Sequence, residues 1–291
     1  AFFGNHFPVL DQRAMPHTKV LPWIMLLCFL HRANAFSLDP AIRAQVSQLL
    51  GTSTPSTQKV SSTILDRLEY LKSSCGIVLA SQSPRRREIF DMMGINNSFD
   101  INVVVSNFEE NLDKSSFDNP GIYAQINAEC KAQDVYNQIR NDESRHAKSL
   151  AVVAADTIVD LRGKILEKPS DEQHAFQMLS ELSGTSHLVH SGVALFTRPP
   201  VANSGASSED IEPNIVSFYE TTEVEIVPLS EDEIWAYIRT GEPMDKSGSY
   251  GIQGIGGQFV KGVRGCYFNV MGFPMHRFSA AMAELIQSKK I

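Results

Sequence analysis

An arginine-rich turn at residues 81–87 has the side chains of an anion-binding site. It reads Ser-Gln-Ser-Pro-Arg-Arg-Arg and follows a short apolar run at residues 77–80, which predicts a buried strand. Ser83 and Pro84 fit the first positions of a helix, where cations are unfavourable unless an anion binds there. Backbone N–H groups, hydroxyls and guanidinium groups together suit phosphate, and a solvated basic surface is the alternative. The side chains expected to contact phosphate are Ser81, Ser83, Arg85, Arg86 and Arg87.

Two carboxylates and two lysines could complete a site for cleaving phosphate esters. Asp156 follows an apolar run at residues 150–155, the place where open α/β sheets carry ligand-contacting residues. Taken singly, Asp156 also fits a cap or turn, Glu110 a solvated acidic turn, and Lys131 and Lys168 the protein surface. Carboxylates hold hard divalent cations, and cations neutralise the charge of phosphates. Together with the arginine-rich turn, these residues favour metal-assisted chemistry on a phosphate ester.

Composition and charge limit the class of protein. The 291 residues suffice for one large domain or two small ones, and 43% hydrophobic and 20% charged residues are typical of a globular chain. A net charge of −7 argues against a nucleic-acid partner. The four cysteines lack metal-ligand spacing and are expected to be free thiols. The sequence contains neither a P-loop motif nor a G-x-S-x-G motif.

Residues 1–36 have the pattern of a presequence. Met15, a candidate start, precedes an apolar segment at residues 20–30 and Ala-Asn-Ala at residues 33–35, which predicts signal cleavage near Ala35. The apolar segment is too short for a stable membrane span, and a buried N-terminal helix is the alternative. With the Phe that follows, the junction is similar to that of plastid proteins in algae with secondary plastids. The segment therefore predicts entry into the secretory pathway or such a plastid.

Two further segments are predicted after the presequence. Residues 37–72, rich in Ser, Thr and Gln, predict a linker or transit-like segment with a helix at 63–72. In residues 73–291 strand and helix patterns alternate, which predicts an α/β domain. Strands are predicted at residues 77–80, 101–105, 150–155, 164–169, 188–196 and 215–227. Helices are predicted from Ser83 to Gly94, at 120–140, from a capping box of Ser170 and Gln173 to Gly184, after a second capping box at Ser230, and at 275–288.

Several local features of the domain are also predicted. The helix at 120–140 should bury Ile122, Ile126 and Cys130, with Tyr123 as a further candidate for the buried side. Loops are expected at residues 198–213 and, rich in glycine, at residues 241–257. The remaining local predictions are a turn at Arg162-Gly163 and a β-hairpin at residues 258–270 that turns near Arg264.

Six short motifs resemble, in order, those of the Maf family of nucleoside triphosphate pyrophosphatases. The likeness extends over residues 73–289. The motifs are Leu-Ala-Ser-Gln-Ser-Pro-Arg-Arg at 79–86, Ala-Asp-Thr-Ile-Val at 155–159, Leu-Glu-Lys-Pro at 166–169, Leu-Ser-Gly at 182–184, Gly-Glu-Pro-Met-Asp-Lys at 241–246 and Gly-Ile-Gln-Gly at 251–254.

This resemblance implies a fold, a reaction and roles for residues. The fold would be a two-lobed α/β structure, with a long curved mixed sheet flanked by helices and a central cleft. The reaction would be hydrolysis of a nucleoside triphosphate to the monophosphate and pyrophosphate with Mg²⁺ or Mn²⁺. The implied catalytic residues are Asp156, as the base, Glu110 and Lys168, with Glu110 and Asp156 also holding the metal. The implied substrate-binding residues are Ser81, Ser83, Arg85, Arg86, Lys131, Thr157, Lys246 and Gln253. Lys168 is also implied to bind the phosphates.

The resemblance also implies a choice of base. One group in the family accepts dTTP and UTP, and another, with Trp, Gln and Glu at three positions, accepts 7-methylguanosine triphosphate. This chain has Arg85, Thr157 and Gln253 there, which matches the dTTP/UTP group. A Gln side chain can donate to a pyrimidine carbonyl and accept from its imide N–H.

The favoured hypothesis is a house-cleaning pyrophosphatase that acts on pyrimidine or modified nucleotides, and alternatives to it stay open at this point. The family has also been linked with inhibition of septum formation, so a non-catalytic nucleotide-binding regulator is the second hypothesis. An inosine triphosphate pyrophosphatase of related fold is disfavoured by the Ser-Pro-Arg-Arg turn. The resemblance implies a cytoplasmic location, in contrast to the presequence, and leaves a homodimer open.

Overall fold

The computed structural model describes residues 63–95, 99, 101–201 and 211–291. The predicted presequence, most of the predicted linker and the middle of the 198–213 loop lie outside these residues. Lys59–Ile291 forms one compact unit. Within the described ranges, no helix combines the length and apolar character that a membrane crossing requires.

Helices and strands alternate through this unit. The helices are α1 (Leu68–Ser74), α2 (Pro84–Met92), α3 (Pro120–Ile139), α4 (Glu172–Leu182), α5 (Glu231–Ile238), α6 (Tyr267–Met271) and α7 (Met275–Gln287). The strands are β1 (Cys75–Leu79), β2 (Ile101–Val103), β3 (Ser149–Leu161), β4 (Lys164–Leu166), β5 (Ser186–Arg198), β6 (Asn214–Ile226) and β7 (Val260–Arg264). Short 3₁₀ turns lie at Leu65–Arg67, Lys114–Ser116, Glu143–Arg145, Glu242–Asp245, Ser247–Ser249 and Ile255–Phe259.

Over the described residues, seven strands form one mixed sheet in the order β2-β1-β3-β5-β6-β7, with β4 paired to β3. β1 runs parallel to both β2 and β3, because α2 and α3 supply the crossovers that parallel pairing requires. β3, β5 and β6 are antiparallel strands of 13 residues each. The predicted α/β fold, a mixed sheet flanked by helices, is confirmed.

The sheet is buried on both faces where it is parallel. Alternate residues of β3, such as Val153 and Ala155, pack with α1, α2, α4, α5 and α7. The residues between them, such as Val152 and Ala154, pack with α3. This explains why the sequence of β3 is an apolar run rather than an alternation.

The long helix is confirmed, but its predicted buried face is partly wrong. Cys130 and the further candidate Tyr123 are buried, whereas Ile122 and Ile126 are only half-buried, and Ala124 faces the sheet beside Tyr123. The reason is close packing: a Cβ at Gly192 of β5 would collide with the backbone of Ala124. Small residues therefore decide which face of α3 lies on the sheet.

Two other local predictions are wrong. The N-cap of α4 is Asp171, whose carboxylate accepts a hydrogen bond from His174 N at 2.8 Å, rather than Ser170 in a capping box with Gln173. The predicted hairpin at 258–270 has only its first strand, β7, and continues as α6. Cys266 N donates to Thr222 Oγ1 at 3.1 Å, so contact with β6 turns the chain into a helix.

The end of the predicted linker packs with the domain. The predicted helix at 63–72 is present as a 3₁₀ turn at Leu65–Arg67 followed by α1. Ile64 and Leu71 are buried in the main core, and Ile64 N donates to Ser279 Oγ at 3.0 Å. The division at residue 72 stays a prediction, with these contacts on its N-terminal side.

Candidate active site

The arginine-rich turn connects β1 to α2. Ser83 is the N-cap residue and Pro84 the first helical residue, as predicted, and Gly94, with φ of +81°, follows the helix end. The Ser83 side chain does not cap the helix. Ser83 N instead donates to Ser81 Oγ at 3.2 Å, which holds the turn between strand and helix.

Arg86 is held by three acceptors. Its guanidinium donates to Ser81 Oγ at 2.8 Å, to the Gly272 carbonyl at 3.0 Å and to Thr157 Oγ1 at 3.3 Å. Burial lowers the pKa of Arg86, while the nearby carboxylates of Asp156 and Glu110 act to raise it. The guanidinium is therefore fixed in orientation and lies within the electrostatic reach of both carboxylates.

Arg85 points to a different partner. Its guanidinium pairs with Asp245 Oδ2 at 2.9 Å, and Lys246 Nζ lies 2.7 Å from Asp245 Oδ1. One carboxylate thus holds two cations beside each other. Arg87 pairs with Asp91 along α2 at 3.5 Å, and its expected place in the anion site stays a prediction.

A pocket lies beside this turn. It has an empty volume of about 480 Å³, part of which is open to solvent, and its walls combine cations with apolar side chains such as Val159, Val189 and Met271. Six of the residues proposed from the sequence lie in its wall although they are far apart in the chain. They are Ser83, Arg85, Arg86, Thr157, Lys246 and Gln253.

Asp156 forms a second cluster with a lysine and a glutamate. Lys131 Nζ, on α3, lies 2.8 Å from Asp156 Oδ1 and 2.8 Å from Glu110 Oε2. The side chains of Asp156 and Lys131 are mostly buried, whereas Glu110 is exposed. The prediction that Asp156 stands at a strand end is wrong, because β3 continues past it to Leu161 in antiparallel pairing with β5.

The two clusters meet at an edge of β3. Asp156 points to the α3 face and Thr157 to the α2 face, as neighbours in a strand do. The partner strand β1 ends at Leu79, opposite Val153, and β4 begins to pair only at Val159. Among the described residues no strand covers the edge between these points. Instead of a strand, Ser247 contacts this edge through the Thr157 carbonyl, and side chains from both faces of the sheet lie next to it.

The carboxylates fit a divalent cation in one respect. Glu110 and Asp156 converge on one ammonium group, that of Lys131, so a cation already lies between them. In the described part of the chain no cluster of three or more His, Cys, Asp or Glu residues could hold a metal. Two carboxylates with water and phosphate oxygens are the usual ligands of Mg²⁺ at nucleotide sites.

Lys168 does not line the pocket. Its side chain is exposed, next to Glu167, whose carboxylate pairs with Lys114 at 2.8 Å and accepts a hydrogen bond from Tyr123 at 3.4 Å. Its catalytic and phosphate-binding roles stay predictions.

Sequence reasoning missed some residues that shape the site. The Gly272 carbonyl accepts from both Arg86 and Thr157, and Ser191 Oγ lies 2.9 Å from Thr157 Oγ1. Ser247 Oγ donates to the Thr157 carbonyl at 2.9 Å. The only sequence signal at Gly272 is its place before Phe-Pro and a helix, which indicates a turn but not a contact with Arg86.

Comparison with known proteins gives a consistent result. The family model described as "Maf-like protein" matches residues 76–285. A human protein named "Probable bifunctional dTTP/UTP pyrophosphatase/methyltransferase protein" is 43% identical over 209 residues, which are 72% of this chain and 32% of the human protein. This chain therefore spans about a third of that relative.

Two shorter relatives are covered almost completely. One named "dTTP/UTP pyrophosphatase" from Clostridium botulinum is 40% identical over 211 residues, covering 72% of this chain and 99% of that protein. Another of the same name from Thermococcus kodakarensis is 43% identical over 199 residues, covering 68% and 91%. With the motifs, the fold and these relatives in agreement, the chain belongs to the Maf-like protein family.

Proposed function

We propose that this chain hydrolyses dTTP and UTP to the nucleoside monophosphate and pyrophosphate. One observation carries the proposal: six side chains of the family's motifs, contributed by separate parts of the chain, line a single pocket. The relatives named dTTP/UTP pyrophosphatase support the choice of substrate.

The pocket supplies cations for a triphosphate. Arg85, Arg86 and Lys246 bring three positive charges to one wall, and Asp245 holds two of them in place. Because Arg86 is already fixed by neutral acceptors, it needs little reorganisation to bind a phosphate oxygen. The exposed Lys168 is proposed to contact the phosphates from outside this wall.

The carboxylate cluster is proposed to carry the hydrolysis. Glu110 and Asp156 would hold Mg²⁺ or Mn²⁺, which neutralises charge on the phosphates when bound. Asp156 accepts a proton from the attacking water, whose oxygen bonds to phosphorus at the α–β phosphoanhydride. The P–O bond of that bridge breaks, and pyrophosphate leaves with its electron pair. Lys131 keeps the buried Asp156 carboxylate paired and oriented.

Gln253 is proposed to recognise the base. It lies in the pocket wall, half-buried, on the glycine-rich loop. Its carboxamide can donate to a pyrimidine carbonyl and accept from the imide N–H, so thymine and uracil are bound alike. A mismatched base leaves these polar groups unpaired and is rejected.

Pyrophosphate release from a panel of common and modified nucleoside triphosphates, with Mg²⁺ and then Mn²⁺, tests the proposal. The expected result is turnover of dTTP and UTP above all others. Tight binding of UTP without turnover would instead favour the non-catalytic regulator, which shares the binding residues. Turnover only of inosine triphosphate would contradict the choice of substrate. Metal dependence, the homodimer and the cellular compartment remain predictions.

A further inference from the structure

Hydrogen bonds to two residues outside the pocket wall, Tyr237 and Glu242, hold the glycine-rich loop on both sides of Gln253. On one side, Gly251 N donates to the Tyr237 hydroxyl at 3.1 Å. On the other side, Ile255 N donates to Glu242 Oε2 at 2.9 Å and Gly256 N to Oε1 at 3.2 Å. Gln253 lies between these two attachments.

The two fastening groups are also joined to each other. The Tyr237 hydroxyl donates to Glu242 Oε1 at 2.9 Å, so one network holds both ends of the loop. Tyr237 is buried on α5, with its ring edge-on to Phe259 at a centroid distance of 5.0 Å. Burial works to raise the pKa of Glu242, but its two backbone N–H donors and Tyr237 lower it below its usual value. The carboxylate therefore stays ionised and keeps all its acceptor positions.

Packing against Glu242 and Tyr237 favours glycine at two positions of the loop, Gly254 and Gly256. A Cβ at Gly254 would come within 2.6 Å of both carboxylate oxygens of Glu242, and a Cβ at Gly256 within 2.5 Å of the Tyr237 hydroxyl. The glycines thus allow the backbone to approach these two side chains closely enough for the hydrogen bonds.

The same turn reaches the cationic wall of the pocket. The Glu242 carbonyl accepts a hydrogen bond from Lys246 Nζ, which also pairs with Asp245, the partner of Arg85. The segment 242–246 therefore contacts both the Gln253 loop and two cations proposed to bind phosphate.

We propose that Glu242 and Tyr237 are positioning residues that set the choice of base by fixing Gln253 in the pocket. This inference rests on the proposed function. Neither residue lines the pocket, so any effect on the substrate is indirect, and the side-chain hydrogen bonds of both residues lead to the loop. Since Gln253 would bind the base equally in the ground and transition states, disturbing it should change KM more than kcat.

Two conservative variants test the role in the full chain. Tyr237→Phe removes the hydroxyl that accepts a hydrogen bond from Gly251 N. Glu242→Gln replaces one carboxylate oxygen, an acceptor for a backbone N–H of the loop in the wild type, with an NH₂ group that cannot accept. Either should raise KM for UTP roughly tenfold, with kcat changed less than about threefold, since one or two hydrogen bonds to the loop are lost. The preference for UTP over CTP, which differs at the imide edge, should fall by a similar factor.

Two matched controls separate this role from general stability. Tyr267→Phe removes an exposed tyrosine hydroxyl, and Glu233→Gln removes a carboxylate that accepts from Ser230 N at 2.7 Å in the cap of α5. Neither should change KM or the UTP/CTP preference. Should Glu242→Gln fail to fold, the single hydroxyl removed in Tyr237→Phe still tests the proposal.

A double-mutant cycle decides whether the effect passes through Gln253. In a Gln253→Ala background, Tyr237→Phe should produce no further change in KM or in UTP/CTP preference. An equal change in both backgrounds, a loss confined to kcat, or unchanged kinetics in Tyr237→Phe would each overturn the proposal.

A wild-type chain that cleaves neither UTP nor dTTP would contradict the proposed function instead. Calorimetric measurement of UTP affinity in the same set of variants would then test the positioning role without turnover.

Discussion

Lys131 Nζ and Asp156 Oδ1 lie 2.8 Å apart, and both side chains are withdrawn from solvent between α3 and β3. The pair explains how a carboxylate can stand in the middle of an otherwise apolar strand, because an isolated charge there would be strongly unfavourable. Glu110 adds a second negative group to the same ammonium. The cluster therefore has one carboxylate more than it has cations, which leaves capacity for a metal ion or a proton.

Asp156→Asn should lower kcat for UTP by at least roughly a hundredfold while the chain stays folded, since the amide cannot accept a proton from water. Pyrophosphate release and thermal unfolding measure the two effects. Asp160→Asn is the matched control, on the same strand and face but bonded to Gly163 N at 2.6 Å, and should keep near-normal turnover. Normal release by the Asp156 variant would remove this residue from the mechanism.

Lys131→Met should destabilise the fold by about 3 kcal/mol, because it leaves Asp156 buried without its cation. Urea unfolding at neutral pH measures the change. Lys164→Met, which breaks an exposed pair with Glu181, should cost less than about 1 kcal/mol. Adding Asp156→Asn to the Lys131 variant should recover most of the loss, and a further loss on addition would show that the buried charge is not the cause.

Arg86→Lys should reduce kcat/KM for UTP by roughly ten- to a hundredfold, since an ammonium cannot keep the planar set of contacts to Ser81, Gly272 and Thr157. Steady-state kinetics give the ratio. Arg87→Lys, one residue on and paired along the helix with Asp91, is the control and should be close to wild type. Near-normal kcat/KM in Arg86→Lys would mean that positive charge alone, rather than fixed geometry, is needed.

Local sequence patterns were sufficient for the elements whose signals are local. The turn at Ser83-Pro84, the capping box of Ser230 and Glu233, and the turn at Arg162-Gly163 are all present. They could be predicted because each depends on the conformational preferences of two to four neighbouring residues. Ser170 and Asp171 show the limit, since both are capping residue types and the sequence alone does not choose between them.

Features set by distant contacts could not be predicted. The apolar run before Asp156 shows where the apolar sequence stops, but β3 continues to Leu161 with Asp156, Ile158 and Val159 buried. The sequence pattern therefore predicts a strand that ends too early. The sequence pattern predicts a hairpin at Cys266, because its bonds to Thr222, 44 residues away, leave no local pattern. The same holds for Gly272, whose carbonyl orients Arg86 from 186 positions along the chain. The turn and the glycine-rich loop were therefore predictable, and the groups that orient them were not.

The stability of the fold should decrease as the pH falls from about 6.5 towards about 4 because of His187. Burial lowers the pKa of this histidine to about 4, and its Nε2 lies 2.8 Å from the Tyr250 hydroxyl. In this window the unfolded chain binds a proton that the folded chain does not, so stability rises with pH by up to about 3 kcal/mol.

Urea unfolding between pH 5 and 7 checks this dependence. His187→Gln should show a shallower change with pH than wild type, because glutamine does not titrate. His276→Gln, at an exposed position, should retain the full change. Identical pH profiles for wild type and the His187 variant would assign the dependence to other groups.

Gln253→Glu should abolish the preference for dTTP and UTP. A carboxylate only accepts hydrogen bonds, so it cannot donate to a pyrimidine carbonyl and suits the donor-rich edge of a purine instead. The measurement is kcat/KM for UTP and for 7-methylguanosine triphosphate in wild type and variant, with Gln258→Glu, an exposed glutamine outside the pocket wall, as control. The control should behave as wild type, which excludes an effect of added negative charge. Faster turnover of 7-methylguanosine triphosphate than of UTP by the unmodified chain would contradict the assignment of the base, while the pyrophosphatase function would stand.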